Sequence, residues 1–203
     1  MKTQTKEIQD SQTPSGVLEM LKDGNKRFLA NNKSPRDLNN QVKETASGQY
    51  PHAVVLSCID SRVPVELVFD QGIGDIFSAR VAGNVINEDV LGSIEYGCKV
   101  AGSKLVIVMG HTKCGAVTSA CKRVELGNIT ELLSKITPAV DEVIPVGDEV
   151  TSEKIEKVNK INIHNAIERM RKESPILNEM EEDGVIQIVG AVYDVATGKV
   201  DFL

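Results

Sequence analysis

Four short apolar runs constrain this chain more than anything else in it. AVVLSC (53–58), DIFSARVAG (75–83), KLVIVMG (104–110) and VIQIVGAVYDV (185–195) are short runs rich in valine and isoleucine, with no helical period. The runs at 53–58 and 104–110 are nearly continuous in apolar character, the pattern of strands covered on both faces. The segments between them carry a different period. Asn87 to Ala101 places Val90, Leu91, Ile94 and Cys98 at steps of three and four behind an acidic first turn, Glu88 and Asp89, which predicts a helix. Val150 to Glu173 repeats that spacing with Ile155, Val158, Ile161, Ile163, Ile167 and Met170, and further helices are expected from Gly115 to about Glu125 and from Ile129 to Val140. Alternation of this kind argues for an α/β fold, a mostly parallel central β-sheet flanked by helices with right-handed crossovers. Ala196-Thr-Gly198 reads as a turn into a short last strand, which would pair antiparallel.

Ahead of the first run the chain is different. Pro14-Ser15-Gly16 opens a helical stretch carrying Val17, Leu18, Leu21, Phe28 and Leu29, and residues 31–51 are polar and turn-rich. Residues 1–50 therefore read as an N-terminal helical arm and loop within a single domain spanning 1–203, since 203 residues suit one core better than two.

The net charge is -6 and no basic block is longer than Arg169-Met-Arg-Lys172, which argues against nucleic acid as a partner. No stretch approaches the ~18 apolar residues of a membrane span, and the start, MKTQTKEIQD, has no apolar core of a secretory signal. Cys58, Cys98, Cys114 and Cys121 form no C-x-x-C pair, so a disulfide framework is not expected; reduced thiols in a cytoplasmic protein fit better. Cys98 and Cys121 read as small buried hydrophobes. His52 and His164 have no cysteine or carboxylate at ligand spacing and read as surface or half-buried residues.

His111-Thr-Lys-Cys114 is half of a metal site at the end of the third candidate strand. Its other half is Cys58-Ile-Asp60-Ser-Arg62, at the end of the first. Ligands of an open parallel sheet gather beyond the carboxyl ends of its strands, so Cys58, Asp60, His111 and Cys114 converge if those two strands are neighbours. Two thiolates, an imidazole and a carboxylate suit tetrahedral zinc. Arg62, permanently charged and bidentate toward carboxylates, competes with the metal for Asp60. Asp60 on Arg62 leaves the fourth position of zinc open; Asp60 on the metal closes it.

With CIDSRVPVELVFDQGIGDIFSARVAGN (58–84), LGSIEYG (91–97), KLVIVMGHTKCGAV (104–117) and GAVYDVATGKV (190–200) set out, the chain resembles the β-class carbonic anhydrases over nearly its whole length. The resemblance implies zinc-dependent reversible hydration of CO2 to bicarbonate and a proton. It implies one Zn2+ per chain held by Cys58, His111 and Cys114, with Asp60 as a possible fourth ligand in a closed state. Asp60 and Arg62 would be the catalytic dyad, Gln49 a hydrogen-bond donor to CO2 or bicarbonate, and Gly115 a backbone contact near the substrate. Phe77 and Tyr96 would line a small apolar pocket, partly from a neighbouring subunit. A homodimer or homotetramer is implied, with the active site at the dimer interface and the N-terminal arm over a partner.

Some members carry an inhibitory bicarbonate pocket with a tryptophan three residues before the first cysteine. This chain has Val55 there and no tryptophan, so that pocket is not expected in the same form, although Arg80 and Tyr193 match other parts of it. Two thiolates and a neutral imidazole cancel the charge of zinc, so water is activated less than by a three-histidine set and turnover should rise toward alkaline pH. Three other readings share these residues. The same zinc centre could hydrolyse carbon disulfide or carbonyl sulfide; the metal could stabilise a non-catalytic scaffold, which the presence of Gln49, Asp60 and Arg62 disfavours; or Cys58 and Cys114 could serve thiol redox chemistry. For the proton's exit, buffer is one route and His52, if it lies near the mouth, another.

Overall fold

The computed structural model describes residues 3–203. At its centre β1 (Ala53–Ser57), β2 (Ile76–Arg80), β3 (Leu105–His111), β4 (Gln187–Tyr193) and β5 (Val200–Phe202) form one sheet in the order β2-β1-β3-β4-β5. The first four run parallel and β5 folds back antiparallel on β4. Every residue of β1 and β3 is buried, as their continuous apolar sequences predict for inner strands. Because β1 and β3 are neighbours, with Ser57 opposite Met109, the two runs that end in candidate ligands end side by side.

Three helices precede the sheet, α1 (Lys6–Ser11), α2 (Pro14–Leu29) and α3 (Leu38–Glu44). The expected arm is in part a layer of the core. Val17 and Leu21 of α2 are fully buried against Val55, Phe69, Ile107 and Met109, so the first half of this helix's apolar stripe is spent on its own sheet. The short α1 and α3 have little apolar periodicity to betray them; each starts at a capping side chain, Thr5 and Asp37, that accepts a backbone N–H. They dock through buried amides instead. Gln9 donates to the carbonyls of Pro51 and Ala101, and Gln41 accepts from the Ile73 N–H. Behind them, α4 (Val65–Val68) leads to buried Asp70, which clasps Arg27 at 2.6 Å and Arg36 at 2.5 Å. Burial alone would raise the Asp70 carboxyl, but the two guanidiniums hold it down at about 2.

The opposite face is covered by α5 (Glu88–Glu95), which runs on through a π turn (Tyr96–Val100), and later by α9 (Ser152–Glu173) and α10 (Pro175–Glu182). Leu91, Ile94, Ile163, Met170 and Leu177 pack there on Val54, Leu56, Val106 and Val108. Between β3 and α9 come α6 (Gly115–Cys121), α7 (Gly127–Ser134) and α8 (Thr137–Val143). In place of the single helix expected over 129–140 the segment breaks in two, because Pro138, in the first turn of α8, lacks the N–H and clashes with the preceding turn. Among the described residues no helix is long and apolar enough to cross a membrane.

His52 corrects another expectation. It is 1% exposed, it precedes β1 at the amino end of the sheet, and it is therefore neither a surface residue nor at the mouth of a site beyond Cys58. Burial pulls its pKa down to about 4 against a hydrogen bond to Gln71. The sign follows from linkage. Below pH ~6.5 the unfolded chain protonates this imidazole while the folded chain resists until about pH 4, so stability is lost on acidification through that window. Urea unfolding of wild type and His52→Phe at pH 7.5 and 5 should show the wild type losing about 2 kcal/mol more than the variant. Parallel losses would contradict it.

Candidate metal centre

Cys58 follows the last residue of β1, His111 is the last residue of β3, and Cys114 caps the start of α6. Lys113 adopts φ 56 and donates its N–H to Glu156, which turns the chain tightly enough to return Cys114 toward His111. The candidate ligand atoms of Cys58, His111 and Cys114 all lie within 4.8 Å of one another, and the residues are 4%, 0% and 2% exposed. His111 Nδ1 lies 2.9 Å from the carbonyl of Thr112, the tautomer-fixing contact that frees Nε2 for a metal. Nε2 itself is buried and has no hydrogen-bond partner in the protein.

The thiols complete the fit. Cys58 is drawn down to about 4, first because the Cys114 thiol donates to it, with the Gly83 N–H adding to this against burial. The same contact pushes the Cys114 thiol up. A site that already stabilises one thiolate and aims an unpartnered imidazole nitrogen at it suits a soft-tolerant divalent cation such as zinc, whose binding would release the remaining thiol proton.

Asp60 stands beside this triad. Its Oδ1 accepts the Arg62 N–H and Nε–H at 2.9 Å each, and its Oδ2 accepts from Nη2 at 2.8 Å. Oδ2 is also 3.8 Å from His111 Nε2, so the carboxylate faces the ligand cluster while committed to arginine. The Arg62 guanidinium holds the Asp60 carboxyl well below the usual carboxylate range. Arg62 reaches the Lys113 carbonyl as well, at 3.4 Å, and so ties the two halves of the motif together. Arg80, matched from sequence to an inhibitory pocket, here donates to the carbonyls of Cys58 at 3.0 Å and Asp60 at 2.6 Å, fixing the turn between them. Gly115 opens α6 with empty space where a side chain would stand.

Gln49, Phe77 and Tyr96 are elsewhere. Gln49 is exposed and precedes β1, so the strand, about 16 Å long at its usual rise, separates it from Cys58. Phe77 pairs with Val54, three positions back from the ligand end. Its ring meets that of Tyr96 edge-on at 6.3 Å, and the two line an open groove of about 590 Å³ that includes neither Cys58 nor His111. One chain thus brings together the triad and the dyad, and leaves these three residues apart from both.

Sequence reasoning passed over two groups that support the centre, the turn at Ala82–Asn84 and the buried asparagines of α9, Asn159 and Asn162. The available signal was a pair of amides interrupting the apolar stripe of an amphipathic helix.

Fold and centre define a class: α/β proteins with a buried Cys-His-Cys cluster at the carboxyl edge of a parallel sheet and a carboxylate paired with arginine next to it. Residues 53–200 match the family model described as carbonic anhydrase. The chain is 33% identical to "Carbonic anhydrase 2" of Mycobacterium tuberculosis, over 92% of this chain and 91% of that protein. It is also 33% identical to the carbonic anhydrase of Mycolicibacterium smegmatis, over 93% and 92%. The β-carbonic anhydrase CafA of Aspergillus fumigatus superposes with a TM-score of 0.73 at 25% identity, covering 93% of this chain and 89% of that one. A similar fold, TM-score 0.70 at 20% identity over 81% and 90%, occurs in β-carbonic anhydrases from Sordaria macrospora that are described as tetrameric. The chain belongs to the β-class carbonic anhydrases.

Proposed function

We propose that this chain catalyses the zinc-dependent reversible hydration of CO2, CO2 + H2O giving HCO3⁻ and H⁺. The observation that carries the reading is Asp60, a carboxylate kept ionised by Arg62 and facing the ligand cluster from 3.8 Å without having joined it. Cys58, His111 and Cys114 would hold one Zn2+ per chain, which when bound supplies Lewis acidity and makes water nucleophilic near neutral pH. Asp60, ionised and fixed, accepts the hydrogen of the attacking nucleophile and so directs its lone pair at carbon. Arg62 keeps Asp60 in that orientation and off the metal. Gly115 leaves room for a small substrate beside Cys114.

The distance between Gln49, Phe77 and Tyr96 and this chain's own triad supports a site completed by a second copy. In a homodimer, or a tetramer built from dimers, Gln49 would donate to CO2 or bicarbonate, and Phe77 with Tyr96 would supply apolar walls, from across the interface. Leu38 and Val42 of α3, both more than half exposed, are apolar surface available to such contact. A scaffold stabilised by zinc has no use for the Asp60 and Arg62 arrangement.

The test is stopped-flow CO2 hydration on purified protein with its metal assayed. About one zinc per chain and turnover rising from about pH 6.5 to 9 are expected, the slope because two thiolates leave the cation with less positive charge to activate water. Full zinc with no hydration would overturn the reading, and the same sample assayed with carbon disulfide and carbonyl sulfide would then identify the related hydrolase. A flat pH profile would contradict the proposed influence of the thiolate ligands.

A further inference from the structure

Helix α9 passes behind the metal centre with two amides where its apolar stripe would otherwise continue. Asn159 and Asn162 are 2% and 4% exposed and, three residues apart, share one face of the helix. Buried amides of this kind are tolerated only when partnered, and both spend their N–H groups on the backbone around the ligands. Asn159 Nδ2 donates to the carbonyl of His111 at 3.1 Å, and Asn162 Nδ2 to the carbonyl of Gly83 at 2.9 Å.

Gly83 is an unusual residue to hold. It sits in the tight turn Ala82–Asn84 with φ 67, a conformation that side chains disfavour. A Cβ there would stand 2.7 Å from Ile136 Cδ1 and 3.3 Å from the Ala116 Cβ, so the turn is packed from α6 and from the turn between α7 and α8 as well. In that conformation its own N–H points at Cys58 Sγ, 3.4 Å away. Hydrogen bonds to a ligating sulfur draw charge from the thiolate, and partners behind the ligands commonly set both affinity and electronic character of a metal site.

We infer that Asn162 is a positioning residue of the metal centre: by holding the Gly83 carbonyl it keeps the Gly83 N–H on Cys58 sulfur, and thereby sets how tightly and how covalently that sulfur binds the cation. The inference rests on the proposed zinc site but not on the proposed reaction.

Its test therefore reads the metal rather than turnover. Zinc affinity is measured by chelator competition for wild type, Asn162→Ala and Asn162→Ser, with Met170→Ala as a packing control buried further along α9. Both Asn162 variants should bind zinc about 10- to 100-fold more weakly, and their cobalt-substituted forms should shift the sulfur-to-cobalt charge-transfer band to lower energy. Met170→Ala should leave affinity and band unchanged while lowering the melting temperature. In wild type loaded with cadmium-113, the Gly83 amide proton should show a coupling to the metal transmitted through Cys58 sulfur. Absence of that coupling in the folded wild type overturns the inference, whether or not the variants fold. So does an affinity within twofold of wild type in Asn162→Ser, or an equal loss in Met170→Ala. A failed hydration assay would leave every one of these readings standing.

Discussion

Asp60→Asn is expected to retain its zinc and to lose CO2 hydration by about 10²–10⁴-fold, the range in which a positioned proton acceptor contributes. Asp60 uses both oxygens on Arg62, with Oδ2 at the same time 3.8 Å from His111 Nε2. An amide has one acceptor oxygen for these duties and turns an N–H₂ toward either the guanidinium or the ligand cluster. Whichever way it flips, it loses the arginine clamp or the acceptor that directs the nucleophile, and the charge of Arg62 is left without its counter-ion. Zinc would survive because Asp60 lies outside Cys58, His111 and Cys114, the proposed permanent donors. Stopped-flow hydration beside metal analysis decides the matter. A zinc-loaded variant within threefold of wild type would remove Asp60 from the reaction.

Gly24→Ala is expected to destabilise the fold by about 3 kcal/mol and to lower the melting temperature by about 10 °C, although it lies far from the metal in sequence. On propensity alone the change should help, since alanine in a helix interior is worth up to about 1 kcal/mol over glycine. The new Cβ, however, would stand 1.9 Å from the Phe69 carbonyl oxygen and 2.8 Å from its carbon, and backbone cannot rotate aside. Helix α2 must back away from its seat. The next residue, Asn25, then loses geometry with the carbonyls of Val68 and Gly198 and the N–H of Val200, three buried hydrogen bonds of about 1 kcal/mol each. Arg27 is drawn off Asp70 by the same movement. Overpacking and lost hydrogen bonds together outweigh the propensity gain severalfold. A melting temperature within 2 °C of wild type, by calorimetry or circular dichroism, would show that α2 has slack at this contact.

Much of this architecture is legible in the sequence for a simple reason. Strands covered on both faces must be apolar throughout, so β1 and β3 announce themselves, and residues that end such strands are candidates for a shared edge site. The Cys58, His111 and Cys114 cluster is legible because Cys58 and His111 each terminate one of these runs. What escaped has equally physical causes. α1 and α3 are short and held by caps and buried amides rather than by a periodic stripe, and His52 is buried in the segment just ahead of β1, where hydropathy gives no signal. The helix break has a visible cause in Pro138, which apolar spacing alone does not register. The supporting role of Asn162 and Gly83 depends on a turn and a helix that meet only in three dimensions, and the expected pocket of Gln49, Phe77 and Tyr96 is not assembled within one chain.

The direction of β1 carries a consequence of its own. This strand delivers Cys58 at one tip and Gln49 just before the other, and a straight strand cannot bend both tips to one place. If the second tip serves a neighbour, each copy of β1 is a shared part owned half by its own centre and half by the next. A lesion at Cys58 then silences the chain that bears it, whereas a lesion at Gln49 is felt by the chain beside it, and two differently damaged chains hold one whole site between them.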